Sequence, residues 1–244
     1  MNCLIIREEE VLSSGEACLT GLRRQHVLSA HELAPQLTVR AALLGGKRGS
    51  ATVLSISDSE VRLALSLHEA PLERNPISWI VAVARPQTTK KVIQLAATLG
   101  VSELHLIRTS QVVKSYLQSL VLEPANIEAE ILKGLEQSGD SIAPRVHLHK
   151  FFRPFMEDVL PALRSAGSGA QGMIADTRAP RSERMSLPKA RSVLLAIGPE
   201  AGWSESEVTQ FCSQGFAAIS LGERFLRVDA ACIYATAAID ALRA

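Results

Sequence analysis

Aromatic side chains are scarce, at 4% of 244 residues. The core must therefore be built from Leu, Ile, Val and Ala, which suits a parallel sheet covered by helices on both faces. Net charge is nearly absent, with 26 Lys and Arg against 25 Asp and Glu. That excludes nucleic-acid binding by bulk electrostatics and leaves only local basic patches and shape. The four cysteines, Cys3, Cys18, Cys212 and Cys232, are far apart and form no Cys-x-x-Cys pair. Neither a disulfide framework nor a zinc site is expected, and a reduced cytoplasmic protein is the simpler reading. No run approaches the roughly 18 apolar residues of a membrane span, and no basic stretch followed by an apolar run opens the chain as in a signal peptide. Apolar residues nevertheless make up 47%, enough for a sizeable core and too many for disorder.

Length suits two domains. The first seventy or so residues suggest a small β-barrel of short strands: Leu37 to Leu44, Ser50 to Ile56 and Glu60 to Leu67, with Gly45–Ser50 as a turn. Ala70–Pro76 is polar, holds two prolines and looks like a linker, so the expected domains are 1–72 and 73–244. Beyond it strands and helices alternate, as parallel pairing with right-handed crossovers requires. Strands are expected at Ile77–Val83, Leu104–Ile107, Gly172–Ala175, Ser192–Ile197 and Phe216–Leu221. Helices are expected at Thr88–Leu99, Asn126–Gln137, Ser204–Gln214 and Val228–Leu242. Ser204 and Glu207 have the spacing of a capping box.

Two loops could carry chemistry. Ile197-Gly-Pro-Glu-Ala-Gly-Trp-Ser204 leaves a strand and enters a helix, the place where parallel sheets bind ligands. Gly198 and Gly202 allow close backbone approach, and Pro199 stiffens the turn. The loop has neither the Gly-Lys-Ser/Thr of a phosphate loop nor Gly-x-Gly-x-x-Gly. Leu221-Gly-Glu-Arg-Phe-Leu-Arg227 occupies an equivalent position before the last helix. Taken singly, each loop could equally be an ordinary turn.

Together, the first loop and Leu221-Gly-Glu-Arg-Phe-Leu-Arg-Val-Asp-Ala-Ala231 resemble the C-terminal signature of the RsmE family, close to Ile-Gly-Pro-Glu-Gly-Gly-Phe-Ser and then Leu-Gly-x-x-Ile-Leu-Arg-x-Glu-Thr-Ala. Gln94–Val101 is similar to that family's Gln-Lys-Ala-Thr-Glu-Leu-Gly-Val, and Glu136-Gln137-Ser138 to its Glu-Gln-Ser. His26–Ile56 is similar to its N-terminal PUA-like barrel. The chain departs from the pattern at Thr98, at Pro86 and Gln87, at Asp140, at Ala201 and at Asp229-Ala230-Ala231.

The resemblance implies an α/β fold of the SPOUT class: a mostly parallel sheet with a C-terminal trefoil knot, preceded by a PUA-like barrel. It implies methylation of uridine N3 in small-subunit (16S) ribosomal RNA, with S-adenosylmethionine as cofactor, and a homodimer. The cofactor would be held by Ala175, Ile197, Gly198, Pro199, Gly202, Leu221, Gly222 and Leu226. Arg227 is the candidate for favouring the anionic base, Glu200 for orienting it or accepting its proton, and Asp229 is a third possibility. Candidate phosphate contacts are Arg23, Arg24, Lys47, Arg48, Arg178 and Arg181, with Arg184 and Lys90-Lys91 also in view. His147 and His149 alternate on one strand, but spacing suggests no third ligand, so no metal is expected. Two alternatives stay open: a SPOUT methyltransferase for another ribosomal or transfer RNA position, and a non-catalytic RNA-binding relative.

Overall fold

The computed structural model describes residues 2–30, 33–165, 169–180 and 192–243. They form two compact units. One comprises residues up to Glu73 with Ala97–Gly100 and Ile131–Ala143; the other comprises Arg74–Ala96, Val101–Glu130 and the rest from Pro144. Among the described residues no helix is long and apolar enough to cross a membrane.

The first unit contains β1 (Leu4–Ile6), β2 (Glu16–Thr20), α1 (Gly21–Ala30), β3 (Thr38–Leu43), β4 (Arg48–Ile56) and β5 (Glu60–Glu69). The strands form one sheet in the order β1-β3-β4-β5-β2, with β1 parallel to β3 and the other pairs antiparallel. Leu4, Ile6, Leu19, Val27, Val53, Val61 and Leu63 form its core. The structure corrects two local expectations. Gly49 lies in β4 rather than in a turn, at a register shift. A Cβ there would run into the Ser66 carbonyl, so close backbone approach at the bulge explains the glycine. α1 was not expected, because Val27 is its one fully buried residue and one residue leaves no helical period.

The Glu-Gln-Ser segment also serves this unit. The Glu136 carbonyl accepts the Asn2 and Cys3 amides at 3.1 and 3.0 Å, and its buried carboxylate faces His26 at 3.2 Å and Arg23 at 3.9 Å. Asp140 Oδ1 accepts the Ser141 and Ile142 amides at 2.7 and 3.2 Å.

The second unit runs β6 (Ile77–Ala82), α2 (Pro86–Thr98), β7 (Glu103–Ile107), α3 (Pro124–Ser138), β8 (Arg145–His149), α4 (Phe152–Pro154), a π-turn (Phe155–Val159), α5 (Leu160–Ser165), β9 (Gln171–Ala175), β10 (Val193–Ile197), α6 (Glu205–Ser213), β11 (Phe216–Ile219) and α7 (Val228–Arg243); the C-terminal residues of α2 and α3 pack in the first unit. Its six strands are all paired in parallel, in the order β11-β9-β10-β6-β7-β8. Pro86 opens α2, where its missing N–H costs nothing. The buried Trp79 indole donates to Thr236 Oγ1 at 3.0 Å, pinning α7 on the sheet. From β8 at one edge the chain returns beyond β6, so strand order reverses beside β10, where parallel sheets open a crevice.

Pairing of β7 with β8 sets His105 beside His147 and Ile107 beside His149. The buried His105 ring lies 3.1 Å from Glu103 Oε2 through Nε2 and 3.1 Å from His149 Nε2 through Nδ1, and it stacks on His147 with centroids 4.8 Å apart. Glu103, His105 and His147 offer ligand atoms within 4.8 Å of one another. Strand pairing thus supplies the further ligands that spacing along one strand could not show. Both His105 nitrogens are nevertheless already engaged within the stack.

Burial first, then repulsion from His147 and His149, pushes His105 down from 6.5 to about 4. The unfolded chain therefore binds more protons than the folded one between those values. Stability is full above 6.5 and falls as pH drops toward 4. We expect the native chain to lose on the order of 3 kcal/mol across that window, and His105→Gln to lose clearly less, as read by urea denaturation. Parallel pH profiles for the two proteins would contradict this.

Candidate active site

Strand register brings three loops to one level. Ile197 pairs with Ala175 and Ala175 with Ile219, so β9, β10 and β11 end side by side. Their loops enclose a cavity of about 340 Å³. Ala175, Ile197, Gly198, Pro199, Gly202, Leu221, Gly222 and Leu226 all line it, and so do Glu200, Arg178 and Arg224. Arg227 and Asp229 are not among its lining residues. α7 begins at Val228, and its first turn directs Asp229 toward Arg227 at 3.0 Å and Lys91 at 3.8 Å.

One side chain shapes the floor. A Cβ on Gly198 would lie 3.2 Å from Trp203 Nε1, so a side chain there would press on the indole packed against it. The Trp203 N–H donates to the Ala175 carbonyl at 3.1 Å, tying the β10 loop to the end of β9. Behind the indole an aromatic row runs through Phe211 at 5.2 Å to Phe216 at 5.1 Å. The Phe216 ring occupies the space a Cβ on Gly172 would need. Composition gave no sign of this role for Trp203, although it stands inside the motif. Gly202 and Gly222 differ from Gly198. Their φ values are +77° and +107°, and a Cβ on either would meet nothing within 4 Å.

The next helix is held by the expected capping box: Ser204 Oγ accepts the Glu207 amide at 3.2 Å, and Glu207 accepts the Ser204 amide at 2.9 Å. Glu207 also accepts the Ser110 amide at 2.7 Å, joining this helix start to the loop after β7.

Charge in the cavity wall is mixed. Asp176 grips Arg178 through two contacts, at 3.0 and 3.1 Å, which raises the Arg178 pKa, and Arg178 also donates to the Trp203 carbonyl at 3.2 Å. Glu200 accepts the Arg85 amide at 2.9 Å. Arg224 is exposed at the rim, beside Phe225, which is 91% exposed.

The other basic candidates divide. Arg23 binds Glu10 at 2.7 Å and the Ile5 carbonyl at 2.6 Å, and Arg48 binds Glu69 at 3.4 Å, so both have internal partners. Arg24 donates to the Ser57 carbonyl at 2.8 Å on an exposed surface, and Lys47 is exposed. Lys90 pairs with Glu130 at 3.1 Å. Arg181 and Arg184 lie outside the described residues.

Residues 71–240 match the family described as RNA methyltransferase domain. The chain is 28% identical to the protein named Ribosomal RNA small subunit methyltransferase E in Treponema pallidum, over 98% of this chain and 90% of that one. It is 27% identical to Ribosomal RNA small subunit methyltransferase E 2 of Borreliella burgdorferi, over 70% and 69%. The structure of Ribosomal RNA small subunit methyltransferase E from Neisseria gonorrhoeae bound to S-adenosyl methionine superimposes with a TM-score of 0.77 at 22% identity, covering 99% of this chain and 98% of that one. The chain therefore has that fold.

Removing the indole should collapse the floor. Trp203→Ala is expected to cost about 3–5 kcal/mol. Gly172→Ala, which forces a methyl into Phe216, is expected to cost about 1–3 kcal/mol. Thermal denaturation checks both; a Trp203→Ala protein as stable as the parent would show that the row bears no weight.

Proposed function

The chain belongs to the RNA methyltransferase domain family, and from that premise we propose that it transfers the methyl group of S-adenosylmethionine to N3 of a uridine in small-subunit ribosomal RNA. The observation that carries this reading is the meeting of three loops around one cavity at the carboxyl ends of β9, β10 and β11. The names of the Treponema and Borreliella relatives support the RNA, and the Neisseria structure supports the cofactor.

The cavity fits that cofactor. Ile197, Leu226 and Val228 supply apolar wall, and the open, positive-φ turns at Gly202 and Gly222 let a ligand reach the backbone. The carboxylates of Asp176 and Glu200 suit a sulfonium cation. Backbone groups of Ile197, Gly198, Leu221 and Leu226 would hold the adenine, with Ala175 and Pro199 against it. When bound, the cofactor supplies an electrophilic methyl group. The chain's part is alignment, which can lower a barrier by roughly 7–11 kcal/mol, and handling of the N3 proton. Arg227, or Arg224 in the cavity wall, would favour the anionic uracil by charge. Glu200, which accepts the Arg85 amide, would orient the base or accept its proton, and Asp229, paired with Arg227, is a third candidate.

The same reading includes a C-terminal trefoil knot built from these three loops. It also makes residues 1–72 a PUA-like barrel that helps to hold RNA, with 73–244 as the catalytic domain. Arg24 and Lys47 are the phosphate contacts it favours, since Arg178 is already held by Asp176 and the Trp203 carbonyl. Two copies would associate through α7 and the rim, where Phe225, Ile233 and Tyr234 are exposed. The setting would be the cytoplasm, with the small ribosomal subunit or its RNA as partner.

Calorimetry should detect S-adenosylmethionine binding by the native chain and at least a tenfold loss in Gly222→Val, whose backbone cannot relax without cost. Mass spectrometry should find N3-methyluridine in small-subunit RNA only when the protein is supplied. Unmodified RNA after incubation with protein and cofactor would refute the activity, and equal affinity in Gly222→Val would refute the loop assignment.

A further inference from the structure

A second cavity, of about 580 Å³, lies in the same unit at the carboxyl ends of β7 and β8. Arg108 and Ser110 follow β7, Phe151 to Pro154 follow β8, and Ser204, Ser206 and Glu207 close it from the start of α6. It shares no lining residue with the first cavity, but the two are neighbours, because Trp203 lines one and Ser204 the other.

Its chemistry is that of a nucleotide site. The Phe151 ring is 64% exposed, a costly placement in a chain so poor in aromatics, and it has no stacking partner among the described residues. Arg108 has no carboxylate partner among the described residues. Arg153 is paired, among the described residues, with exposed Glu157 at 2.7 Å. The hydroxyl of Thr109, in the same wall, is buried and has no hydrogen-bond partner among the described residues. Glu207, the wall's carboxylate, is buried and already accepts the amides of Ser110 and Ser204, so its side of the cavity suits a base edge rather than a phosphate. An aromatic face with arginines beside it is how proteins hold unpaired RNA.

We propose that this cavity holds an unpaired RNA nucleotide flanking the one presented to the first cavity, with its base stacked on Phe151 and its phosphates met by Arg108 and Arg153. The proposal rests on the RNA methyltransferase reading for its ligand class. It gives the start of α6 a second role, because the aromatic row from Trp203 through Phe211 reaches Phe152 at 6.0 Å. One rigid shelf would then set the spacing between the two sites.

The test uses the full chain, a fluorescein-labelled single-stranded oligoribonucleotide copied from small-subunit RNA, and intact small subunits. Phe151→Ala should weaken oligonucleotide binding about tenfold, as expected for the loss of one stacked base, and Phe151→Tyr should restore it. Arg108→Gln should flatten the slope of log affinity against log salt by about 0.7, as expected for one lost phosphate contact on a single strand. Calorimetric affinity for S-adenosylmethionine should be unchanged in all three variants. Equal RNA affinity and equal salt slope in the native and variant chains would overturn the proposal. Phe151-dependent RNA binding without methyl transfer to the subunits would uphold this cavity while sinking the catalytic reading, whereas methyl transfer that is indifferent to Phe151 and Arg108 would do the reverse.

Discussion

The site depends on one contact, the Trp203 indole lying against Gly198 with its N–H on the Ala175 carbonyl. That contact sets how far the β10 loop stands from the end of β9, and so how wide the first cavity is. The chain holds two Trp and six Phe, and it gathers Trp203, Phe152 and Phe216 around Phe211. Apart from Trp79, aliphatic side chains fill most of the rest of the sheet, because a core needs volume. A loop that must keep its shape around a ligand needs flat, stiff surfaces, and large rings supply them with few rotatable bonds.

Much of the second unit was legible because each cue was local. The Ser204–Glu207 box and the apolar runs of β6 and β10 each involve residues close in sequence, and each corresponds to an element seen in the structure. What was missed depends on distant partners. β1 is three fully buried residues with no alternation. The segment Phe152–Ser165 changes from α to π and back, which no single period describes. His105 joins His147 only through strand pairing. At the cavity, glycine spacing marked the loops but could not tell Gly198, held by an indole, from Gly202 and Gly222, which face open space.

The departures from the resembled pattern are also intelligible residue by residue. Asp140, in place of an arginine, lies just past α3, and its Oδ1 accepts the amides of Ser141 and Ile142 in the chain that follows. Thr98, in place of a glutamate, donates to the Gly134 carbonyl at 3.3 Å. Both act within the first unit. Among these replaced residues Ala201 lies in the cavity wall, and nothing in the structure explains its preference over glycine.

All the residues around the first cavity fall between Ala175 and Ala231, although the sheet that supports them begins at Ile77. During synthesis, chains fold as their domains emerge. A growing polypeptide here can lay down β6, β7 and β8 and still have none of the residues that line the first cavity. The binding surface comes into existence only when the final stretch leaves the ribosome, so truncated products are expected to be chemically silent.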